Sequence, residues 1–197
     1  MEKTLVTGHN GFLFTALRPG LLKTHHVVQY EHDVRTVTQK YYNLDNVIHF
    51  ASASDKYDFS DKKTCSTIIQ GTINMVKIAN MNNAKLIFAS TMGVYDVAVD
   101  DAYCSCKLAM EHYVKSNSEK YLILRIPRVY DKSRNKGLMK SLRLNDVSEC
   151  DYDKRITYLE LPGFVDQTLH TLTMVQHVYE YNNLINKTIR QISEMYE

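Results

Sequence analysis

The chain lacks a cysteine framework, a charge excess of either sign and any long apolar run, and each absence removes a class of function. Its four cysteines, Cys65, Cys104, Cys106 and Cys150, are too few to staple 197 residues as a disulfide scaffold. Cys104-Ser105-Cys106 is not a C-x-x-C pair and no histidine cluster completes it, so no metal site is expected. Net charge is only +2, with 24 basic and 22 acidic residues intermixed, which gives no electrostatic footprint for nucleic acid. No apolar run approaches the roughly 18 residues of a spanning helix, so no membrane association is expected. The N-terminus enters the strand-like Thr4-Leu5-Val6 without a signal peptide, and with reduced thiols this predicts a cytoplasmic protein. Internal repeats and low-complexity linkers are also missing.

What is present is a 44% hydrophobic chain, long enough to bury a real core as one compact unit with a small appendage. Short apolar runs alternate with helical stretches, the pattern of β-α-β units and a parallel sheet. Strands are expected at Thr4–Val6, His26–Tyr30, Asn46–Phe50, Lys85–Ala89 and Tyr121–Arg125. Helices are expected over Thr67–Asn80, Tyr103–Ser116, Phe164–Tyr181 and Asn186–Tyr196, the last with Ile189, Ile192 and Met195 on one face. The polar stretch Asp131–Asp153 predicts loops and a short helix. The fold class is therefore α/β, a Rossmann-like doubly wound parallel sheet.

Three features carry chemistry. Thr7-Gly8-His9-Asn10-Gly11-Phe12-Leu13-Phe14 is a glycine-bearing turn between a strand and a helix, where free amides and the helix dipole favour a pyrophosphate. Phe14 stands at the third small position and is expected to crowd the helix against the sheet or a cofactor. Glu31 follows the next strand, where an acid would accept from an adenosine ribose, and Asp33-Val34 could border the adenine. Arg35 is close but not beside Glu31, which favours NAD over NADP. Finally, Ser90-Thr91 ends a strand, and Tyr103 and Lys107 lie four apart on one helix. An ammonium near a phenol lowers its pKa, and Thr91 would then bond the oxygen that Tyr103 protonates or deprotonates, unless it only caps the following turn. His49, inside an apolar strand, reads as a hydrogen-bonded core histidine. Lys132–Lys140 reads as a solvated basic cluster, or one that meets a diphosphate.

In this order the motifs resemble those of the extended short-chain dehydrogenase/reductases, the NAD-dependent epimerase/dehydratase family that acts on nucleotide sugars. Thr7-Gly8-x-x-Gly11-Phe12 is similar to its T-G-x-x-G-[FY] turn, Val47-Ile48-His49-Phe50-Ala51 to its V-I-H-L-A strand, and Gly71-Thr72-Ile73-Asn74 to its G-T-x-N helix. Phe88 to Tyr95 resembles F-x-S-[ST]-x-x-V-Y, Tyr103 to Lys107 Y-x-x-x-K, and Leu124 to Tyr130 L-R-x-x-x-V-Y. The resemblance implies Thr91, Tyr103 and Lys107 as the catalytic trio, with Lys107 also on the nicotinamide ribose. It implies Gly8, Asn10, Gly11, Phe12 and Leu13 at the pyrophosphate and Glu31, Asp33 and Val34 at the adenosine. Phe50, Ala51 and Ser52 would lie between these groups, and Pro127 at the nicotinamide edge.

The implied activity is epimerase, dehydratase or 4-keto reductase chemistry on a nucleotide-sugar substrate with NAD, Tyr103 acting as acid/base. The alternative is a non-catalytic NAD-binding sensor or interaction protein. A homodimer through the Tyr103–Ser116 helix is implied by the same family. The departures are Phe14, Ile68 before the G-T pair, Cys106 in place of the usual Ser before Lys107, and a short link of eleven residues between Thr91 and Tyr103. The trimmed first half resembles dTDP-4-dehydrorhamnose reductases. The expected division is a dinucleotide-binding unit over 1–131 and a much reduced C-terminal substrate lobe over 132–197.

Overall fold

Apolar residues that alternate along each central strand send side chains to both faces of a sheet, and here both faces are covered by helices. The computed structural model describes residues 1–37, 39–52, 61–95, 101–134, 137–148 and 151–196. Six parallel strands run in the order β2-β1-β3-β4-β5-β8. They are β1 (Glu2–Thr7), β2 (His25–Gln29), β3 (Asn46–His49), β4 (Lys85–Thr91), β5 (Tyr121–Ile126) and β8 (His177–Glu180). Leu5, Val47, Leu86, Phe88 and Ile123 face α2 (Asp61–Met81) and α3 (Ala102–Asn117), packing on Ile68, Met75, Val76, Met110 and Val114. Val6, Ile48, Ile87, Leu122 and Leu124 face the other way, onto α1 (Phe12–Leu21) and α5 (Leu161–Thr171). Each such buried side chain contributes about 1.5–3 kcal/mol of transfer free energy.

The chain passes from β2 to β3 through residues 30–45 with no helix among the described residues. Tyr30, Val34, Tyr41 and Leu44 of this link are buried against the α2 side and fill the layer a helix would otherwise occupy. Gly71 makes this possible: a Cβ there would lie 2.9 Å from Val34 Cγ2. Asn74 Nδ2 then donates to the Val34 carbonyl at 2.9 Å, so the G-T-x-N segment fastens the link to α2.

Phe14 does not crowd the sheet. It is 1% exposed and packs with Leu17, Leu21, Ile48 and Ile87, so the bulk at the third small position becomes core. The space is shared with α5, whose Leu169 Cδ1 comes within 2.3 Å of where a Cβ on Gly20 would stand.

Two expected helices are shorter than their apolar patterns. Phe164–Tyr181 is α5 followed by a turn and β8, because Gln176 adopts φ 53° and the next four residues pair in register with Leu122–Arg125 of β5. Asn186–Tyr196 is a strand and then a helix: β9 (Ile185–Thr188) pairs antiparallel with β7 (Arg155–Glu160), and α6 (Ile189–Tyr196) follows. With β6 (Arg128–Tyr130) they form a second sheet, β6-β7-β9, over a small core of Tyr130, Met139, Tyr158 and Ile192. Met139 comes from α4 (Gly137–Arg143), the short helix in the polar stretch. The C-terminal segment thus contributes β8 to the large sheet and β7 and β9 to the small one.

Candidate active site

The strand order reverses between β1 and β3, and a crevice at the carboxyl ends of these strands is where open α/β sheets take ligands. Gly8 turns the chain there with φ +72°, and a Cβ on it would lie 2.7 Å from Ala51 N and 2.9 Å from Phe50 C. Only glycine lets the two strand ends meet this closely. Gly11 N–H closes the turn onto Gly8 O at 2.9 Å, and Gly11 caps α1 with no side-chain hydrogen bond to the helix amides. The N-terminal amides beyond it, including those of Phe12 and Leu13, are left for a ligand, and no acid in the first turn opposes an anion. The Arg134 guanidinium lies 5.1 Å from the Phe12 ring centroid, above the same helix end, and donates to Val129 O. Arg134 falls within the basic cluster Lys132–Lys140, and that cluster was its sequence signal. The residues present fit a dinucleotide's pyrophosphate.

The adenosine side is partly taken by protein partners. Glu31 is exposed at the end of β2, with one carboxylate oxygen 3.8 Å from His9 Nε2. Asp33 is held by Arg35 Nε at 3.0 Å and Nη2 at 2.5 Å, which keeps its carboxyl below the usual range. Val34 turns its side chain into the core. Of the three residues expected here, Glu31 is the one whose carboxylate reaches outward.

Beneath the turn, Thr7 Oγ1 accepts from Ala51 N–H at 3.1 Å and shares a hydrogen bond with His49 Nδ1, 2.8 Å away. Burial, then the nearby Lys107, push the His49 pKa down to about 3. His49 is therefore a neutral core histidine on the Nδ1 side, while its Nε2 has no hydrogen-bond partner among the described residues.

The chemical half stands at the end of β4. Register pairs Thr91 with Ile126, and Pro127 follows directly. Thr91 Oγ1 accepts from Gly93 N–H at 3.1 Å, the capping role; accepting this bond leaves the hydroxyl's own proton for a second partner. The 3-10 turn Met92–Tyr95 brings Gly93 against α3, where its Cβ position would be 2.6 Å from Cys104 Sγ. The rest of the link to Tyr103, residues 96–100, lies outside the described residues.

Tyr103 and Lys107 share the inner face of α3, with Lys107 Nζ 5.7 Å from the phenol ring centroid. Lys107 is 2% exposed; its Nζ donates to Ala89 O at 2.6 Å and lies 4.8 Å from the Phe88 ring centroid. Burial brings its pKa down to about 7. The expected depression of the phenol is not found: burial, with Cys104 and Asp101 nearby, pushes Tyr103 up to about 12. Ser52 faces the phenol and offsets this in part, although its Oγ closes no hydrogen bond of ordinary geometry among the described residues. The correction has a simple cause. An ammonium lowers a phenol's pKa only while charged and near the oxygen, whereas desolvation acts on both groups and suppresses both charges.

Two further residues frame this half. Glu111, one helical turn after Lys107 and fully buried, accepts from Arg125 Nε and Nη2 at 3.0 and 2.8 Å and from Ser90 Oγ at 2.5 Å. Arg125 Nη1 also donates to Tyr95 OH at 2.5 Å and to Glu180 at 3.1 Å. The Arg125 guanidinium thus ties α3, the 3-10 turn and β8 together, and Glu111 adds β4 through Ser90. Its signal was the Arg of the L-R-x-x-x-V-Y segment, whose acidic partner is not adjacent in sequence. Among the described residues there is no acid, histidine and cysteine cluster suited to a metal, and no helix is long and apolar enough to cross a membrane.

Comparison with known proteins agrees with this geometry. Residues 2–149 match the family model described as the RmlD substrate binding domain. A search of curated proteins by sequence gives no match. Among solved structures, the chain is similar to UDP-glucose 4-epimerase of Thermus thermophilus in complex with NAD, at 18% identity and TM-score 0.78, covering 98% of this chain and 82% of the other. It is similar to RMD from Pseudomonas aeruginosa complexed with NADPH, at 17% identity and TM-score 0.77, with coverages of 99% and 81%. A dTDP-4-dehydrorhamnose reductase of Clostridium acetobutylicum is alike at 19% identity and TM-score 0.78, with coverages of 98% and 79%. At these identities the structural likeness speaks to the fold, and the family model speaks to descent: the chain belongs to the RmlD substrate binding domain family, within the extended short-chain dehydrogenase/reductases.

Proposed function

We propose that the protein is a nicotinamide-dinucleotide-dependent enzyme acting on a nucleotide-linked sugar, and that within this class it is set up to reduce a sugar ketone. The observation that carries the reading is the gathering of Thr91, Tyr103 and Lys107 at the end of β4, with Lys107 Nζ 5.7 Å from the phenol ring centroid, and a phenol that burial keeps protonated suits the acid's part. A base must be deprotonated before it can act, whereas an acid in this state is ready. The reduced nicotinamide, when bound, would supply hydride to the carbonyl carbon. Tyr103 O–H would give its proton to the carbonyl oxygen, and the Thr91 hydroxyl would hold that oxygen by the proton it does not use toward Gly93. The phenolate left behind raises the proton affinity of Lys107, which takes up one proton from solvent and gives it back to Tyr103 by way of water, so that the pair returns to its starting state with one solvent proton consumed. Phe12 and Leu13 would hold the pyrophosphate by backbone amides at the turn that Gly8 and Gly11 shape, with Arg134 above them, and Glu31 would accept from the adenosine ribose and favour NADH. Relatives with either NAD or NADPH support the cofactor class and leave the choice to Glu31 and Arg35.

The test is oxidation of NADH or NADPH by the purified protein with nucleotide 4-keto sugars, followed by absorbance. Turnover that stops in Tyr103→Phe supports the reading. Saturable cofactor binding with no turnover across uridine- and thymidine-linked sugars would favour a non-catalytic dinucleotide-binding protein instead.

A further inference from the structure

Cys106 stands directly before Lys107 on α3, and its Sγ lies 3.0 Å from Sγ of Cys65 on α2. Two thiols in ordinary contact stand further apart than this, and a disulfide requires about 2.05 Å between sulfurs, so roughly 1 Å of approach completes it. Both are free thiols. They differ in access, since Cys65 is partly exposed and Cys106 is 8% exposed. The two helices are packed against each other on the same face of the sheet, so the pair is held by the fold and not by a mobile segment.

We infer that Cys65 and Cys106 form a redox modification site, in which a peroxide oxidises the pair to an intramolecular disulfide that staples α2 to α3 beside Lys107. The steps balance. The Cys65 thiolate attacks one peroxide oxygen, the O–O bond breaks, and water leaves once the departing hydroxide takes a proton, giving a sulfenic acid on Cys65. Cys106 sulfur then attacks Cys65 sulfur; the S–S bond forms, the S–O bond breaks, and the Cys106 proton leaves with the hydroxide as a second water. Two electrons pass from the sulfur pair to the peroxide. Burial and the neighbouring Cys65 push the Cys106 thiol up to about 12, which fits the more accessible Cys65 as the first to react and Cys106 as the resolving thiol. Cys104, whose sulfur is turned to Gly93, is not part of the pair.

This site needs neither cofactor nor substrate and stands apart from the enzymatic proposal. Its test is treatment of the reduced full chain with one equivalent of hydrogen peroxide, then intact mass and a non-reducing digest. The expected result is a monomer lighter by two hydrogens, a peptide joining Cys65 to Cys106, and reversal by dithiothreitol. The link persists in Cys104→Ser and is lost in Cys65→Ser and Cys106→Ser. Because the bond closes a loop of 41 residues, the thermal midpoint of the oxidised chain rises by about 5–10 °C. A bridge through Cys104 or Cys150, an intermolecular dimer, or sulfinic acid without a bridge overturns the inference. So does a lower thermal midpoint on oxidation, which would mean that the native packing must be distorted to close the bond. The peptide map is read on the unmodified sequence and does not depend on any variant folding.

Discussion

The two halves of the site are made of different materials. At the β1–β3 crevice the working groups are backbone: a glycine at φ +72°, a turn closed by Gly11 N–H, and helix amides without a side-chain cap. At the end of β4 the groups proposed to act are ionisable side chains, Tyr103 and Lys107, whose charged forms burial suppresses. The first half is fixed by sterics and is indifferent to pH. In the second, burial suppresses the charges, so its state changes with pH. Shape is therefore stored on one side and protonation on the other.

The largest way to break that contrast is Tyr103→Phe, which leaves packing and backbone intact while removing the proton. Turnover is expected to fall by about 10³-fold with NADH affinity unchanged within a few-fold, as read by steady-state kinetics and fluorescence titration. Next is Gly8→Val. A side chain there meets Ala51 N at 2.7 Å in a left-handed conformation, so the chain should lose roughly 3 kcal/mol in urea unfolding, together with NADH binding.

Lys107→Met sharpens the comparison through pH. The folded-state pKa of about 7 lies below the ordinary lysine value of 10.5, so the unfolded chain binds more protons between these values and stability rises with pH across that window. Each unit is worth about 1.4 kcal/mol. The variant should lose this slope and keep the one below it, where stability falls as pH drops from 6.5 toward 3 because His49 must charge. Urea unfolding at successive pH values reads both. The smallest effect is that of Asp33→Asn. It frees Arg35 on the surface, should barely move the thermal midpoint, and should raise NADPH affinity relative to NADH by a few-fold.

Sequence patterns anticipated the ordered path from β1 to β5 because each step carried a local mark: glycines at a strand end, Asn74 one turn after Gly71, a hydroxyl pair closing β4, and Tyr103 one turn before Lys107. The later elements carried none. The run Phe164–Tyr181 keeps an apolar pattern through a turn with no glycine or proline, so only the pairing of β8 with β5 separates helix from strand. β7 and β9 likewise exist because they have each other. At the site, spacing placed Tyr103 and Lys107 together but gave the wrong sign for the phenol, since desolvation depends on what covers a residue. Phe14 shows the converse: the third position looked too large, and its ring is core, packed with Leu17, Leu21, Ile48 and Ile87.

The most direct test of the central claim is titration of the purified chain with NADH by fluorescence, in the parent and in Gly8→Val. Saturable one-to-one binding in the parent and none in the glycine variant is the predicted result. A parent chain that binds neither NADH nor NADPH saturably would contradict it.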